Sequence, residues 1–329
     1  MDPTGPLLFV TTAAASVALT YLPKRNREGE GASESGVSTG RGGMVLSELQ
    51  QISPLHKANT VDLLVVTRIH GTGAHKMATP EAVEKFVASV HQYATKILIC
   101  IGNVGASTDN ERQIIDCAEY MAELTDHLSR KFKAPIFKKI CLMPVHPWGD
   151  FTAALNASLR EAVKDNLAYI CYQSLEFRLP KHSVNYVKDQ IDSDPDLLVA
   201  GPAMAGHEFD EGVKGLRGRT CPWNTFAIWR VKYLTLFGFP LVGDGMGTKF
   251  GGVEEVTAVA LAQYMYPNLK AALLQVPGVE WHTHFDDKMR LDHHKAKMES
   301  KDSRPQKQLE TLGLVGCGSV NHIIINDYQ

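Results

Sequence analysis

Leu167-Ala168-Tyr169-Ile170-Cys171-Tyr172-Gln173-Ser174-Leu175-Glu176-Phe177-Arg178 opens as an apolar run rich in β-branched and aromatic residues and closes on polar and charged groups. That composition is the one expected of a strand buried on both faces. Helix-like segments flank it, Asp150 to Asn166 before and Lys181 to Asp192 after. In an open α/β sheet, ligands sit beyond the carboxyl ends of the strands, so Ser174 and Glu176 fall where chemistry is expected. Taken alone, the stretch reads equally well as a strand ending in ordinary solvated residues.

The same alternation runs back toward the N-terminus. Val61 to Ile69 (VDLLVVTRI) reads as a buried strand ending at Arg68. Thr79-Pro80-Glu81 supplies an N-cap, a first-turn proline and an early acid, predicting a helix to about Ala94. Lys96 to Asn103 reads as a second strand and Ile136 to Val145 as a third. Between them Ser107 to Phe132 carries the helical stripe Ile114, Ile115, Ala118, Met121, Ala122 and Leu128. Asp196 to Gly201 makes a fifth strand after the Leu167 stretch. Strands and helices alternating over short connections predict a mainly parallel sheet covered on both faces. No G-x-G-x-x-G or G-x-x-x-x-G-K-[ST] loop occurs, so nicotinamide-cofactor and P-loop readings lose their usual support.

Beyond Gly201 the regular alternation stops. Gly212 to Arg219 reads as a Gly- and Arg-rich loop, and Asn224 or Thr225 as the cap of a helix running to Phe237. Phe239 to Asp244 reads as a short extended piece, and Gly251-Gly252-Val253-Glu254-Glu255 as the opening of a helix through Met265. Residues 281–310 carry much charge and histidine and read as a partly exposed terminal helix or tail.

A length of 329 residues allows one large or two modest domains, and 44% hydrophobic with 21% charged residues is ordinary for a soluble globular protein. The net charge of −2 argues against a nucleic-acid partner, which calls for a basic face. None of the six cysteines forms a C-x-x-C pair, so they read as small buried hydrophobes in a reducing compartment. Residues 7–22 form an apolar run shorter than the roughly 20 residues of a membrane span. Asp2 precedes this run and Lys24, Arg25 and Arg27 follow it, unlike a secretory signal. A cytoplasmic protein is therefore expected, the alternative being one anchored in the secretory pathway, with any membrane association carried by residues 7–22. Residues 26–43, rich in Gly, Ser and Glu, read as a linker.

Together these residues resemble the GT-A glycosyltransferases, and among them the family-2-like inverting enzymes, over about Val61 to Trp281. The carriers are the first-half alternation, Ala153-Ala154-Leu155-Asn156 before the Leu167 strand, the Pro222-Trp223-Asn224-Thr225 loop, and Gly238-Phe239-Pro240 followed by Gly252-Val253-Glu254-Glu255. The resemblance implies a GT-A-like (nucleotide-diphospho-sugar transferase) three-layer α/β/α fold with a mainly parallel central sheet. The chain divides accordingly into a leader and linker (1–55), the GT-A-like domain (56–280) and a charged His-rich extension (281–329). It further implies a nucleotide-sugar donor, an acceptor hydroxyl on a small molecule, glycan or protein, and a divalent cation, Mn2+ or Mg2+. A carboxylate opening a helix would be the base: Glu255 or Glu254, with Asp244 as rival. Glu176 with His282 or His284 would hold the metal, although Ser174-Leu175-Glu176 stands where the family has Asp-x-Asp. Asn103 stands where the family has a base-reading acid, and Ser174 would be a further donor-binding residue. Arg68, Arg217, Arg219 and Lys249 would hold the diphosphate, and His207, Trp223 and Asn224 the acceptor side.

Each candidate also has an ordinary reading. Glu254 and Glu255 suit a helix dipole, His282 and His284 a solvated tail, Trp223 a core position, His207 a structural one, and loop arginines are commonly exposed. The Ser174 departure keeps a second function open, a catalytically inactive nucleotide-sugar binder or scaffold of the same fold. A nucleotidyltransferase is the lesser alternative, with Arg68-Ile69-His70-Gly71-Thr72-Gly73 as a faint version of its loop.

Overall fold

Leu63, Leu64, Val65 and Val66 are all at most 1% exposed because their strand runs through the sheet with helices on both faces. The computed structural model describes residues 62–72, 77–104, 110–248, 250–281 and 288–325. Contacts separate Met1–Lys57 from the unit Ala58–Gln329; the apolar run 7–22 and the linker lie outside the described residues. The strands are β1 (Leu63–Thr72), β2 (Lys96–Val104), β3 (Ile140–Pro144), β4 (Tyr169–Gln173), β5 (Phe177–Arg178), β6 (Leu197–Pro202), β7 (Gly212–Gly215), β8 (Phe226–Arg230), β9 (Lys270–Gln275), β10 (Glu280–Trp281) and β11 (Ser319–Ile324). The longer helices are α1 (Pro80–Val90), α2 (Asn110–Lys131), α3 (Thr152–Lys164), α4 (Lys181–Ser193), α5 (Glu254–Met265), α6 (Lys288–Glu299) and α7 (Ser303–Leu312).

Among the described residues nine strands form one sheet in the order β3-β2-β1-β4-β8-β6-β9-β11-β7. Only the pairings of β8 and β7 are antiparallel, so the expected mainly parallel α/β/α arrangement is the one found. The chain steps from β1 to β2 to β3 with α1 and α2 on one face, where Phe86, Val87, Leu124 and Leu128 meet Val65, Ile97 and Ile99. It then reverses past β1 to β4 with α3 on the opposite face. There Tyr172 donates to the Leu155 carbonyl at 2.9 Å and Cys100 faces the Ala154 carbonyl. A right-handed crossover requires that change of face when the direction of travel reverses. The reversal leaves a crevice between the carboxyl ends of β1 and β4, the place where such sheets bind ligands.

The helix expected from Asn224 to Phe237 is instead β8, followed by a single helical turn at Val231–Leu234. Phe226, Ala227, Ile228 and Trp229 are fully buried, and both edges of the strand are paired, to β4 and to β6. An apolar run of this length is read equally by a helix and by an interior strand, and here the open slot in the sheet selects the strand. The piece expected to be extended at Phe239–Asp244 leads into a 3-10 turn, Leu241–Gly247. The charged C-terminal stretch is no loose tail, since α6 and α7 lead into β11, which lies between β9 and β7 inside the main sheet. Among the described residues no helix is long and apolar enough to cross a membrane.

The start of α3 is tied to the 3-10 turn by one side chain. The Asp244 carboxylate accepts from the backbone N–H of Phe151 (2.8 Å) and Thr152 (2.7 Å) and from the Thr152 hydroxyl (2.7 Å). It does the work of an N-cap from a distant position, satisfying donors that a helix start leaves open. Asp244→Ala is expected to lower stability by about 1–2 kcal/mol, the scale of a lost cap. Urea unfolding followed by circular dichroism measures it, and an unchanged midpoint would show that α3 does not depend on this bond.

Candidate active site

The crevice at the switch point holds three adjoining cavities of about 190, 310 and 360 Å³, and Phe151 and Lys297 line all of them. The largest lies over the ends of β1 and β4, between Arg68, His70, Trp148, Gln173, Ser174 and Asn224. His70 and Trp148 stack there with ring centroids 5.2 Å apart. Gly102 makes this possible, because a Cβ at that position would sit 1.9 Å from the Trp148 ring. The Ser174 hydroxyl is buried in this wall and has no hydrogen-bond partner among the described residues.

The smallest cavity is lined by Glu254 and Glu255, the first residues of α5. They are 3% and 2% exposed, which a helix dipole alone does not account for. Buried carboxylates call for partners. Glu254 receives Asn224 Nδ2 at 3.3 Å and Arg68 at 3.5 Å, and Lys301 stands 3.8 Å from Glu255. Asn224 is itself oriented by Trp229 Nε1, which donates to its Oδ1 at 2.9 Å. Burial, with the Glu254 charge beside it, pushes the Glu255 carboxyl up to about 7. Burial likewise pulls the Lys301 ammonium below its ordinary value, and the Glu255 carboxylate opposes that shift.

The backbone that aims these acids is strained. Val253, just before α5, has φ +62°, a left-handed conformation that is rare for a β-branched residue. Gly252 precedes it at φ +82°, and a Cβ there would meet Arg304 Nη1 at 2.6 Å. Helix α7 clamps this turn. Arg304 donates to the Gly251 carbonyl at 2.8 Å, and Gln308 to those of Phe250 (2.6 Å) and Gly252 (2.8 Å).

The other sequence candidates fall in several places. Trp223 is 1% exposed, with His207 stacked on its ring at 3.6 Å and Lys301 standing 4.1 Å from the centroid. It therefore packs as a core ring, and the half-buried Trp281 is the more open aromatic in the cavity wall. His207 accepts from the Met204 N–H and donates to the Cys221 carbonyl, and burial pushes it down to about 3, so it is neutral. Arg217 pairs with Glu208, while Arg219 pairs with Asp302 and donates to the Met298 carbonyl, so neither lines the cleft. Asn103 pairs in register with Gly71; its side chain, like His282, His284 and Lys249, lies outside the described residues. Sequence reading missed Lys297, Lys301 and Arg304, which line the Glu255 cavity from the charged C-terminal stretch. The spacing of Lys297 and Lys301, one helical turn apart, is the faint signal they left.

Among the described residues a divalent cation finds no fitting donor set, and the expected ligands His282 and His284 lie outside them. Among the described residues no group of three or more His, Cys, Asp or Glu side chains converges on one point. Glu176 sits in the Ser174–Phe177 turn and lines none of the three cavities. Glu254 and Glu255 already face cations.

No family model matches the chain, and no curated protein matches it by sequence. Among solved structures it is similar to the mannosyltransferase PcManGT from Pyrobaculum calidifontis in complex with GDP-Man and Mn2+, at 12% identity and a TM-score of 0.46, over 80% of this chain and 69% of that one. It is also similar to S. aureus TarS, at 13% identity and a TM-score of 0.36, over 66% of this chain and 36% of that one, so it spans about a third of that protein's length. For TarS residues 1–349 the identity is 13% and the TM-score 0.37, over 76% of this chain and 73% of that one.

Proposed function

We propose that the chain is a glycosyltransferase that moves a sugar from a nucleotide-sugar donor to an acceptor hydroxyl with inversion, using Glu255 as the base. One observation carries this reading: a buried carboxyl held near neutrality at a strained helix start, opening into a cleft at the β1/β4 switch point. The cavity over β1 and β4 takes the nucleotide, with the His70–Trp148 stack as a wall for the base. The Glu255 cavity takes the acceptor and the anomeric carbon.

In the step itself, the Glu255 carboxylate accepts the acceptor hydroxyl proton. The freed oxygen forms a bond to the anomeric carbon from the face opposite the leaving group. The bond from that carbon to the donor phosphate oxygen breaks, and its electron pair stays on the diphosphate. Glu254, engaged by Arg68 and Asn224, positions the pair and raises its neighbour's proton affinity. The Ser174 hydroxyl, standing where the family resemblance expects a carboxylate, favours a second reading in which the same cleft binds a nucleotide-sugar without transferring it.

Two measurements separate these readings. In transfer assays with UDP- and GDP-sugars, Glu255→Gln is expected to reduce kcat by about 10²–10⁴-fold while leaving donor binding intact. Full activity in that variant would remove Glu255 from the mechanism, and donor binding without turnover by the unmodified protein would select the binding-only reading. A base must be ionised, so the rate is expected to rise with pH through about 7 as Glu255 loses its proton. Lys301→Met deletes the cation that favours the ionised form, so the rising limb should move to higher pH. A limb that stays in place in a variant whose circular dichroism is unchanged would separate Lys301 from the control of Glu255.

A further inference from the structure

The Glu255 cavity is lined by more cations than acids. Arg68, Lys297, Lys301 and Arg304 line the Glu255 cavity against Glu254 and Glu255. Arg68 and Lys301 are the two within ion-pair distance of those acids. Arg304 is only 7% exposed, yet among the described residues its guanidinium hydrogen-bonds to carbonyl oxygens alone, those of Gly251, Lys297 and Ser300. A buried arginine ordinarily has a carboxylate partner. Lys297 lies at the junction of all three cavities with its ammonium 5.8 Å from the Phe151 ring centroid, and among the described residues it has no ion pair. Among the described residues neither cation has an ion-pair partner, although Asp150 and Asp244 line the 310 Å³ cavity with them.

We infer that Lys297 and Arg304, with Arg68 at the rim, form a cradle that holds the donor's diphosphate and neutralises it as it leaves, without a divalent cation. The inference rests on the transferase reading above and gives that site its phosphate chemistry. A guanidinium fork and an ammonium match phosphate oxygens in geometry and charge. The same cations work against a divalent cation in the Glu255 cavity. When the anomeric carbon–oxygen bond breaks, its electron pair goes to the phosphate oxygen facing these side chains, and the acceptor proton goes to Glu255.

The test is calorimetric titration of the full chain, stripped with EDTA and desalted, with inorganic pyrophosphate, UDP and GDP, then again with Mn2+ present. Pyrophosphate is expected to bind the stripped protein, more weakly as salt rises and about equally with Mn2+. Lys297→Gln, an exposed substitution checked by its thermal unfolding, should weaken that binding about tenfold or more. Binding that requires Mn2+, or Lys297→Gln binding as tightly as the unmodified protein, would overturn the cradle while leaving the transferase reading in place. If pyrophosphate, UDP and GDP all fail to bind under both conditions, the cradle and the transferase reading fall together.

Discussion

Two adjacent carboxylates, Glu254 and Glu255, are withdrawn from water at the first turn of α5, and the surrounding architecture answers to that burial. Ionised carboxyls lose far more hydration on burial than a helix dipole returns, so they need charge and hydrogen bonds within reach. Here the partners come from three distant parts of the chain. Arg68 arrives from the end of β1, Asn224 from the loop before β8, and Lys301 from the link between α6 and α7. The acids can be buried in this way only after the sheet has formed and the C-terminal helices have closed over it.

The same dependence explains the shape of the turn before α5. Val253 in the left-handed region costs of order 1–3 kcal/mol, and such a conformation persists only where its surroundings enforce it. Arg304 and Gln308 do so by gripping the carbonyls of residues 250–252. Gln308 meets two carbonyls through its amide nitrogen and leaves its own buried oxygen without a partner among the described residues, a further local cost borne in the same clamp. Helix α7 therefore belongs to the site as much as α5 does, although it contributes a single side chain to the Glu255 cavity.

How much of this could be read in advance follows from which forces act locally. The units from β1 to α4 were legible largely because their periodicity is local, helped at α1 by the Thr79 hydroxyl that accepts from the Ala82 N–H, whereas α3 takes its cap from distant Asp244. Phe226–Arg230 was misread because an apolar run that short takes its conformation from the slot it fills between β4 and β6. Strands β7, β9 and β11 are likewise specified by their neighbours more than by themselves. Glu254 and Glu255 were visible as acids opening a helix, but nothing local distinguishes a solvated first turn from a buried one. Lys297, Lys301 and Arg304 were hidden more deeply, since a charged stretch near a C-terminus reads as solvated until its tertiary contacts are known.

Titration sets the acids of this cleft against the stability of the fold. The folded state raises Glu255 from the ordinary carboxylate range to about 7, so between those two values it holds a proton that the unfolded chain has released. This group's contribution to stability therefore falls as pH rises through that window, and the ionised form that can accept a proton is the less stable one. Lys301 opposes the trend by favouring the ionised form, but it is itself depressed by burial and cannot cancel it. Lys297 and Arg304, neighbours joined by the Arg304 hydrogen bond to the Lys297 carbonyl, repel one another. An anion seated between them would relieve that repulsion at the pH where Glu255 is ionised. On this reasoning, the protein is least comfortable in its empty, base-competent state and most stable when that state has bound the charge it lacks.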